Sequence, residues 1–195
     1  MNAPRPARKK PPAPAKPHPA PSAPPLPSIR GGAWVAVDTN ILVYANQRRS
    51  PECISFLERC ASGELQGVVP APMVAELAHA LMLIEARENN WIERGNPART
   101  LSERPDLVRR LTRYEARMRE FFGIGLRIEP VGTADFLEAM RIQKEAGLLT
   151  NDALLLAVAR RLNCEAVASA DRAIALAPGF AVFSPAVPRS HDQSV

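Results

Sequence analysis

The segment AWVAVD, residues 33–38, is the starting point for predicting the fold. Five consecutive apolar residues end at Asp38, and such a run is typical of a strand buried on both faces of a parallel sheet. A second apolar segment, residues 166–168, leads in the same way to Asp171. Ligands of open α/β sheets bind beyond the carboxyl ends of strands. The two aspartates can therefore meet if their strands are near neighbours.

Strand-like and helix-like segments alternate along the rest of the chain. Further strands are predicted at residues 65–69, 126–128 and 180–183. Helices are predicted at residues 39–46, from Pro51 with Ser50 as its cap, from Pro72, at 105–122, at 133–146 with Thr133 as its cap, and at 152–162 with Thr150 as its cap. Residues 89–104 are predicted to be irregular. This alternation predicts an α/β/α sandwich with a small, mainly parallel central sheet.

The net charge of +5 comes from the N-terminal segment. Residues 1–30 contain six of the 25 basic residues, no acidic residue and eleven of the 20 prolines, which leaves 19 basic against 20 acidic residues elsewhere. Proline at this density disfavours helix and sheet. We therefore predict a disordered basic tail at residues 1–32, a folded domain at 33–186 and a flexible tail at 187–195. Deletion of residues 1–30 is expected to leave the fold unchanged.

Cysteine use and hydropathy favour a cytoplasmic protein that has no contact with a membrane. Cys53, Cys60 and Cys164 are odd in number and form no CxxC pair, which argues against a disulfide framework and a zinc site. No apolar run approaches the roughly 18 residues that span a bilayer.

Two further acids, Glu76 and Asp152, lie in helical segments that are otherwise apolar. A carboxylate that faces a packed layer is costly unless it is paired or bound to a cation. Each acid also has a structural interpretation: Asp38 and Asp171 can cap the helices that follow them, Asp152 can stabilise a helix dipole, and Glu76 can reach water. If all four converge, their mutual repulsion would favour binding of Mg²⁺ or Mn²⁺, which prefer oxygen ligands.

Four segments resemble the PIN-domain family, in particular the VapC-type toxins of type II toxin–antitoxin pairs. They are VDTNILVYA (37–45), PAPMVAELAHAL (70–81), LLTNDALLLAVARRLNC (148–164) and VASADRAI (167–174). The resemblance spans about residues 33–185 and implies a PIN-like α/β/α sandwich with Mg²⁺- or Mn²⁺-dependent endoribonuclease activity. It implies metal ligands and catalytic residues at Asp38, Glu76, Asp152 and Asp171, with Asn40 and Ser169 as supporting polar residues. It also implies a homodimer and, for a toxin, an antitoxin partner.

An arginine-rich segment is a candidate for binding RNA. Residues 87–127 contain ten arginines against six acids, and the spacing of Arg109, Arg113 and Arg117 predicts one basic helix face. Arginine suits phosphate groups, but a solvated helix with internal ion pairs is an equally good interpretation. This segment is longer than in compact toxins, and the proline-rich N-terminus is also unusual for them.

Three alternatives to a toxin endoribonuclease stay open. They are a PIN nuclease of RNA processing, a PIN-like module that binds RNA or a partner without cleavage, and a DNA nuclease of the same superfamily. A haloacid-dehalogenase-like phosphatase is disfavoured, because Asn40 stands where its Asp-x-Asp motif needs a second aspartate after Asp38.

Overall fold

A five-stranded, all-parallel sheet forms the centre of the computed structural model, which describes residues 23–92 and 96–186. The strand order is β3-β2-β1-β4-β5. The strands are β1 (Trp34–Val37), β2 (Gln66–Pro70), β3 (Arg127–Glu129), β4 (Ala166–Ala168) and β5 (Val182–Phe183). The chain adds β2 and β3 on one side of β1 and then adds β4 on the other side, so the strand order reverses between β1 and β4.

Helices flank this sheet, which confirms the predicted α/β sandwich. They are α1 (Thr39–Asn46), α2 (Pro51–Ala61), α3 (Ala71–Glu88), α4 (Pro97–Ser102), α5 (Pro105–Val108), α6 (Arg113–Gly123), α7 (Thr133–Ala146), α8 (Thr150–Arg161) and α9 (Arg172–Ala175). Within the two described ranges, no helix is both long enough and apolar enough to cross a membrane.

Burial explains the two most apolar segments of the sequence. Residues 35–37 of β1 are completely buried, as expected for the central strand of a sheet covered on both faces. Residues 153–159 of α8 are all buried, because this helix packs against three strands and also against α3 and α7. The continuous apolar character of both segments therefore reflects their central position.

The predicted single helix at residues 105–122 is wrong. The chain forms α5 and α6 instead, with a break at residues 109–112, and α4 occupies part of the segment that was predicted to be irregular. These short helices enclose a second apolar cluster, which is separate from the main core and consists of Leu83, Ala86, Ile92, Leu101, Leu107 and Leu111. The local pattern does not reveal the break, because it depends on a tertiary contact: the backbone N–H groups of Thr112 and Tyr114 donate to Glu85 of α3.

Two predicted helix caps are also wrong. Thr133 and Thr150 are the first residues of α7 and α8, and the cap positions are Gly132 and Leu149. At α7, the backbone N–H of Gly132 donates to the Asp135 carboxylate at 2.9 Å. Ser50 does cap α2, as predicted, by accepting the N–H of Cys53.

Glu85 attaches the α4–α6 segment to α3. Its side chain is 4% exposed and accepts the backbone N–H groups of Thr112 and Tyr114 at 3.0 and 2.8 Å, so a residue of α3 caps α6. Burial by itself would raise the pKa of Glu85. The N–H donors at residues 112–114 and the charge of Arg113 outweigh this effect, and the pKa lies below its ordinary value.

Replacing Glu85 with Gln is expected to lower the free energy of unfolding by about 1–3 kcal/mol, because two charge-assisted hydrogen bonds to a buried acceptor are weakened. Since the folded-state pKa is lowered, this contribution is fully present above the unfolded-state pKa and disappears as the pH falls through the folded-state value. Urea denaturation at neutral and acidic pH measures both effects. Glu88→Gln is the control, because the exposed Glu88 pairs with the same Arg113; an equal loss in this variant would contradict the cap.

Part of the predicted N-terminal tail belongs to the folded domain. Leu26 is 0% exposed and Ile29 is 3% exposed, and the Arg59 guanidinium donates to the carbonyls of both residues. Proline lacks an N–H, but its carbonyl still accepts: Pro24 receives the N–H of Ser184, and Pro25 forms a parallel bridge with Ser184. Disorder up to residue 32 is therefore wrong for residues 24–32. The rest of that tail, 1–22, and the C-terminal tail, 187–195, lie outside the described residues.

Candidate metal-binding site

Asp38 and Asp171 follow adjacent strands at the point where the strand order reverses. Val37 of β1 is in register with Ala168 of β4. Both aspartates also cap helices, since Asp38 accepts the N–H of Asn40 at 3.5 Å and Asp171 accepts the N–H of Ala173 at 2.7 Å. Each cap uses only Oδ1, so capping leaves Oδ2 of each carboxylate for other contacts.

Ser169 links the two aspartates from a fully buried position. Its Oγ donates to Asp38 Oδ2 at 2.6 Å and accepts the backbone N–H of Asp171 at 3.0 Å. Asn40 makes a second link, because its Nδ2 donates to Asp38 Oδ2 at 2.6 Å and its Oδ1 accepts the N–H of Ala170 at 3.0 Å. The structure thus brings Asn40 and Ser169 against Asp38, and their supporting role stays a prediction.

Glu76 approaches the site from α3. Its Oε2 accepts from Thr39 Oγ1 at 3.3 Å and from Asn151 Nδ2 at 3.1 Å, so this one oxygen joins α1, α3 and α8. Neither Thr39 nor Asn151 is among the functional residues predicted from the sequence. Each directly adjoins a predicted ligand, Asp38 or Asp152, in the first turn of a helix, and this position is the signal that could have identified them.

The pKa values of Asp38 and Asp152 are affected by burial and by the neighbouring acids. Burial raises the pKa of Asp38 to about 6, the hydrogen bond from Ser169 opposes this rise, and the charges of Asp152 and Glu76 add to it. The pKa of Asp152 is raised by burial and then by the charges of Asp171 and Glu76. All four side chains therefore lie in one electrostatic neighbourhood at the carboxyl ends of β1 and β4.

The chemistry of these donors fits a hard divalent cation. Carboxylate oxygens surrounded by a serine and two asparagines match the ligand preference of Mg²⁺ and Mn²⁺, and a cation would relieve the repulsion that raises the pKa values. As placed, no three acidic, histidine or cysteine side chains in residues 23–92 and 96–186 are close enough to share one ion.

The three arginines predicted to form one basic face do not share a helix. Arg109 is the residue that follows α5, whereas Arg113 and Arg117 lie on α6. Arg113 pairs with Glu88 and lies 3.9 Å from Glu85, and Arg117 pairs with Glu120. These contacts match the interpretation of a solvated helix with ion pairs, and RNA binding by these residues stays a prediction.

The sheet order and the acidic cluster define an α/β sandwich protein with an oxygen-rich site at the reversal of strand order. The PIN domain family model matches residues 35–179, and the chain belongs to this family. PIN domain nucleases are hydrolases that act on nucleic acids. No curated protein matches the chain.

Solved structures are similar to this chain at low sequence identity. One is VapBC2 from Rickettsia felis bound to a DNA fragment from their promoter, with 15% identity over 78% of this chain and 98% of that chain, and a TM-score of 0.52. FitAcB from Neisseria gonorrhoeae has 21% identity over 77% of this chain and 96% of that chain, with a TM-score of 0.48. A toxin–antitoxin complex from Klebsiella pneumoniae has 18% identity over 76% of this chain and 95% of that chain, with a TM-score of 0.48. At 15% identity, the similarity to VapBC2 shows the fold alone.

Proposed function

We propose that the chain is a Mg²⁺- or Mn²⁺-dependent endoribonuclease that hydrolyses phosphodiester bonds of RNA. The observation that carries the proposal is that Asp38 and Asp171 follow the adjacent strands β1 and β4, while Glu76 accepts from Thr39 and Asn151, the neighbours of Asp38 and Asp152. Burial and the charges of neighbouring acids raise the pKa values of Asp38 and Asp152, and cation binding would offset this cost. Membership of the PIN domain family supports the assignment.

Asp38, Asp152 and Asp171 would hold the ion directly, and Glu76 directly or through a water. When bound, the ion would supply Lewis-acid stabilisation of the phosphate and lower the pKa of the attacking water. Ser169 and Asn40 donate to Asp38 Oδ2 and so fix the orientation of this carboxylate. Oε2 of Glu76 is fixed in the same way by Thr39 and Asn151, while Oε1 has no hydrogen bond within the described ranges.

Hydrolysis of this kind would leave a 5′-phosphate and a 3′-hydroxyl, and it does not use the 2′-OH as nucleophile.

The proposal also includes binding of RNA phosphates by Arg109, Arg113 and Arg117. The ion pairs of Arg113 with Glu88 and of Arg117 with Glu120 are exposed, and such pairs are worth at most about 1 kcal/mol. A phosphate group can therefore compete for these side chains.

We further propose that the nuclease is a homodimeric toxin that acts in the cytoplasm and is paired with an antitoxin protein. Support comes from the similarity of fold to VapBC2, and from the free thiols of Cys53, Cys60 and Cys164, which suit a reducing compartment. The alternatives are a PIN nuclease of RNA processing and a PIN-like module that binds RNA or a partner without cleavage.

Incubation of the full chain with a mixed RNA pool and with DNA of matched sequence tests the proposal. We expect cleavage of RNA in Mg²⁺ or Mn²⁺, no cleavage in EDTA and little cleavage of DNA. Calorimetry with Mn²⁺ alone is expected to detect binding without substrate. Cleavage of DNA alone would support the DNA-nuclease alternative. Absence of both cleavage and Mn²⁺ binding would overturn the nuclease assignment and favour the binding module.

A further inference from the structure

The backbone of Ser169 is held by two residues outside the part of the chain that matches the PIN family model. Its N–H donates to the carbonyl of Phe183 at 3.0 Å, and its carbonyl accepts the hydroxyl of Ser184 at 2.7 Å. Ser184 is in turn held by Pro24, whose carbonyl accepts the Ser184 N–H at 2.9 Å. Continuous hydrogen bonds therefore run from the N-terminal segment to Ser169.

The orientation of Ser169 matters because its side chain serves two candidate ligands at once. Its Oγ must lie within hydrogen-bond reach of both Asp38 Oδ2 and the backbone N–H of Asp171. A rotation of the peptide plane at Ser169 would move Oγ away from one of these groups. The Ser184 hydroxyl opposes such a rotation, because it binds the carbonyl of that same residue.

We propose that Ser184 is a positioning residue for the candidate metal site, acting through Ser169 on Asp38 and Asp171. Pro24 and Pro25 hold Ser184, the residue that follows β5, through their backbone. This inference rests on the proposed metal-dependent activity. It extends the functional part of the chain beyond residues 35–179, at both ends.

Removal of the Ser184 hydroxyl separates positioning from folding. In Ser184→Ala, the backbone bond to Pro24 and the bridge to Pro25 are retained, because neither uses the side chain. Only the bond to the Ser169 carbonyl is lost, so the orientation of Ser169 becomes less restricted while the sheet edge stays intact. Ser184→Thr keeps a hydroxyl and is expected to restore the bond.

Calorimetric titration of Mn²⁺ into the full chain, without RNA, is the first measurement. We expect Ser184→Ala to bind Mn²⁺ about tenfold more weakly, at the low end of the cost measured for residues that orient metal ligands. We expect kcat for RNA to fall similarly with KM almost unchanged, and Ser184→Thr to recover most of both losses. Ser28→Ala is the matched control, because Ser28 Oγ also donates to a backbone carbonyl, that of Pro25, in the same region.

Three outcomes would overturn the inference in distinguishable ways. Unchanged Mn²⁺ affinity in Ser184→Ala, with a wild-type chain that binds Mn²⁺, would refute the positioning role alone. A loss that accompanies a large drop in melting temperature and is not recovered by Ser184→Thr would make the role purely structural. A wild-type chain that neither binds Mn²⁺ nor cleaves RNA would refute the proposed function, and the positioning role with it.

Discussion

Asp152→Asn is expected to reduce RNA cleavage about a hundredfold or more while leaving the metal-free chain at least as stable as wild type. The loss of activity follows because a bound metal supplies several kcal/mol of transition-state stabilisation, and about 1.4 kcal/mol corresponds to a factor of ten in rate. The gain in stability follows because burial and the charges of Asp171 and Glu76 raise the pKa of Asp152, so its ionised form opposes folding at neutral pH.

The dependence of stability on pH shows whether the ionised carboxylates oppose folding. A carboxyl whose folded-state pKa is raised binds its proton more tightly when folded, so stability falls as the pH rises from the unfolded-state to the folded-state pKa. For Asp38 this range runs from the ordinary value of 3.8 to about 6. In EDTA, the melting temperature of wild type should therefore decline relative to that of Asp38→Asn as the pH rises across this range.

Activity and melting in EDTA are to be measured on the same preparations of Asp38→Asn and Asp152→Asn. Asp106→Asn is the control, because Asp106 is exposed and pairs with Arg104 away from the cluster; it should retain full activity. If either site variant melts well below wild type in EDTA, that aspartate is chiefly a structural cap and the metal site is wrongly assigned. The Asp38 variant also loses part of its hydrogen bonding to Ser169 and Asn40, so Asp152→Asn gives the clearer result.

Deletion of residues 1–29 is expected to cost about 3–6 kcal/mol of unfolding free energy, because full burial of Leu26 and Ile29 contributes about 1.5–3 kcal/mol for each side chain. This loss is a large fraction of the roughly 5–15 kcal/mol that stabilises a typical domain. The deletion also exposes the edge of β5 and removes the acceptor for the Ser184 N–H. The expectation from sequence, that residues 1–30 are dispensable, is therefore reversed for the last part of this segment.

Chemical denaturation of three proteins tests this prediction: the full chain, a deletion of residues 1–22 and a deletion of residues 1–29. The shorter deletion keeps Pro24, Leu26 and Ile29 and is expected to match the full chain within about 0.5 kcal/mol. Leu26→Ala in the full chain should lose about 2–5 kcal/mol by itself. If both deletions are as stable as the full chain, packing of residues 24–29 does not contribute to stability in solution.

The local pattern of apolar residues was enough to predict every strand of the described sheet. An apolar run that ends at Asp38, or at the turn before Asp171, predicts both a buried strand and the end at which the carboxylate lies. The same pattern did not predict the short helices α4 and α5. They have six and four residues, which are too few to reveal a helical period of apolar residues. The break before α6 depends on Glu85 of α3, which accepts the backbone N–H groups of Thr112 and Tyr114, whereas a single helix at 105–122 would use these groups within itself.

The sequence by itself determined the alternation of strands and helices, the acids that follow β1 and β4, and the two acids set in apolar helices. Only the tertiary structure decided that β1 and β4 are neighbours, that Ser169 reaches Asp38 across 131 positions, and that Leu26 is buried. The physical reason is that side-chain periodicity reports which face of an element is buried, whereas strand order and register decide which distant residues meet there.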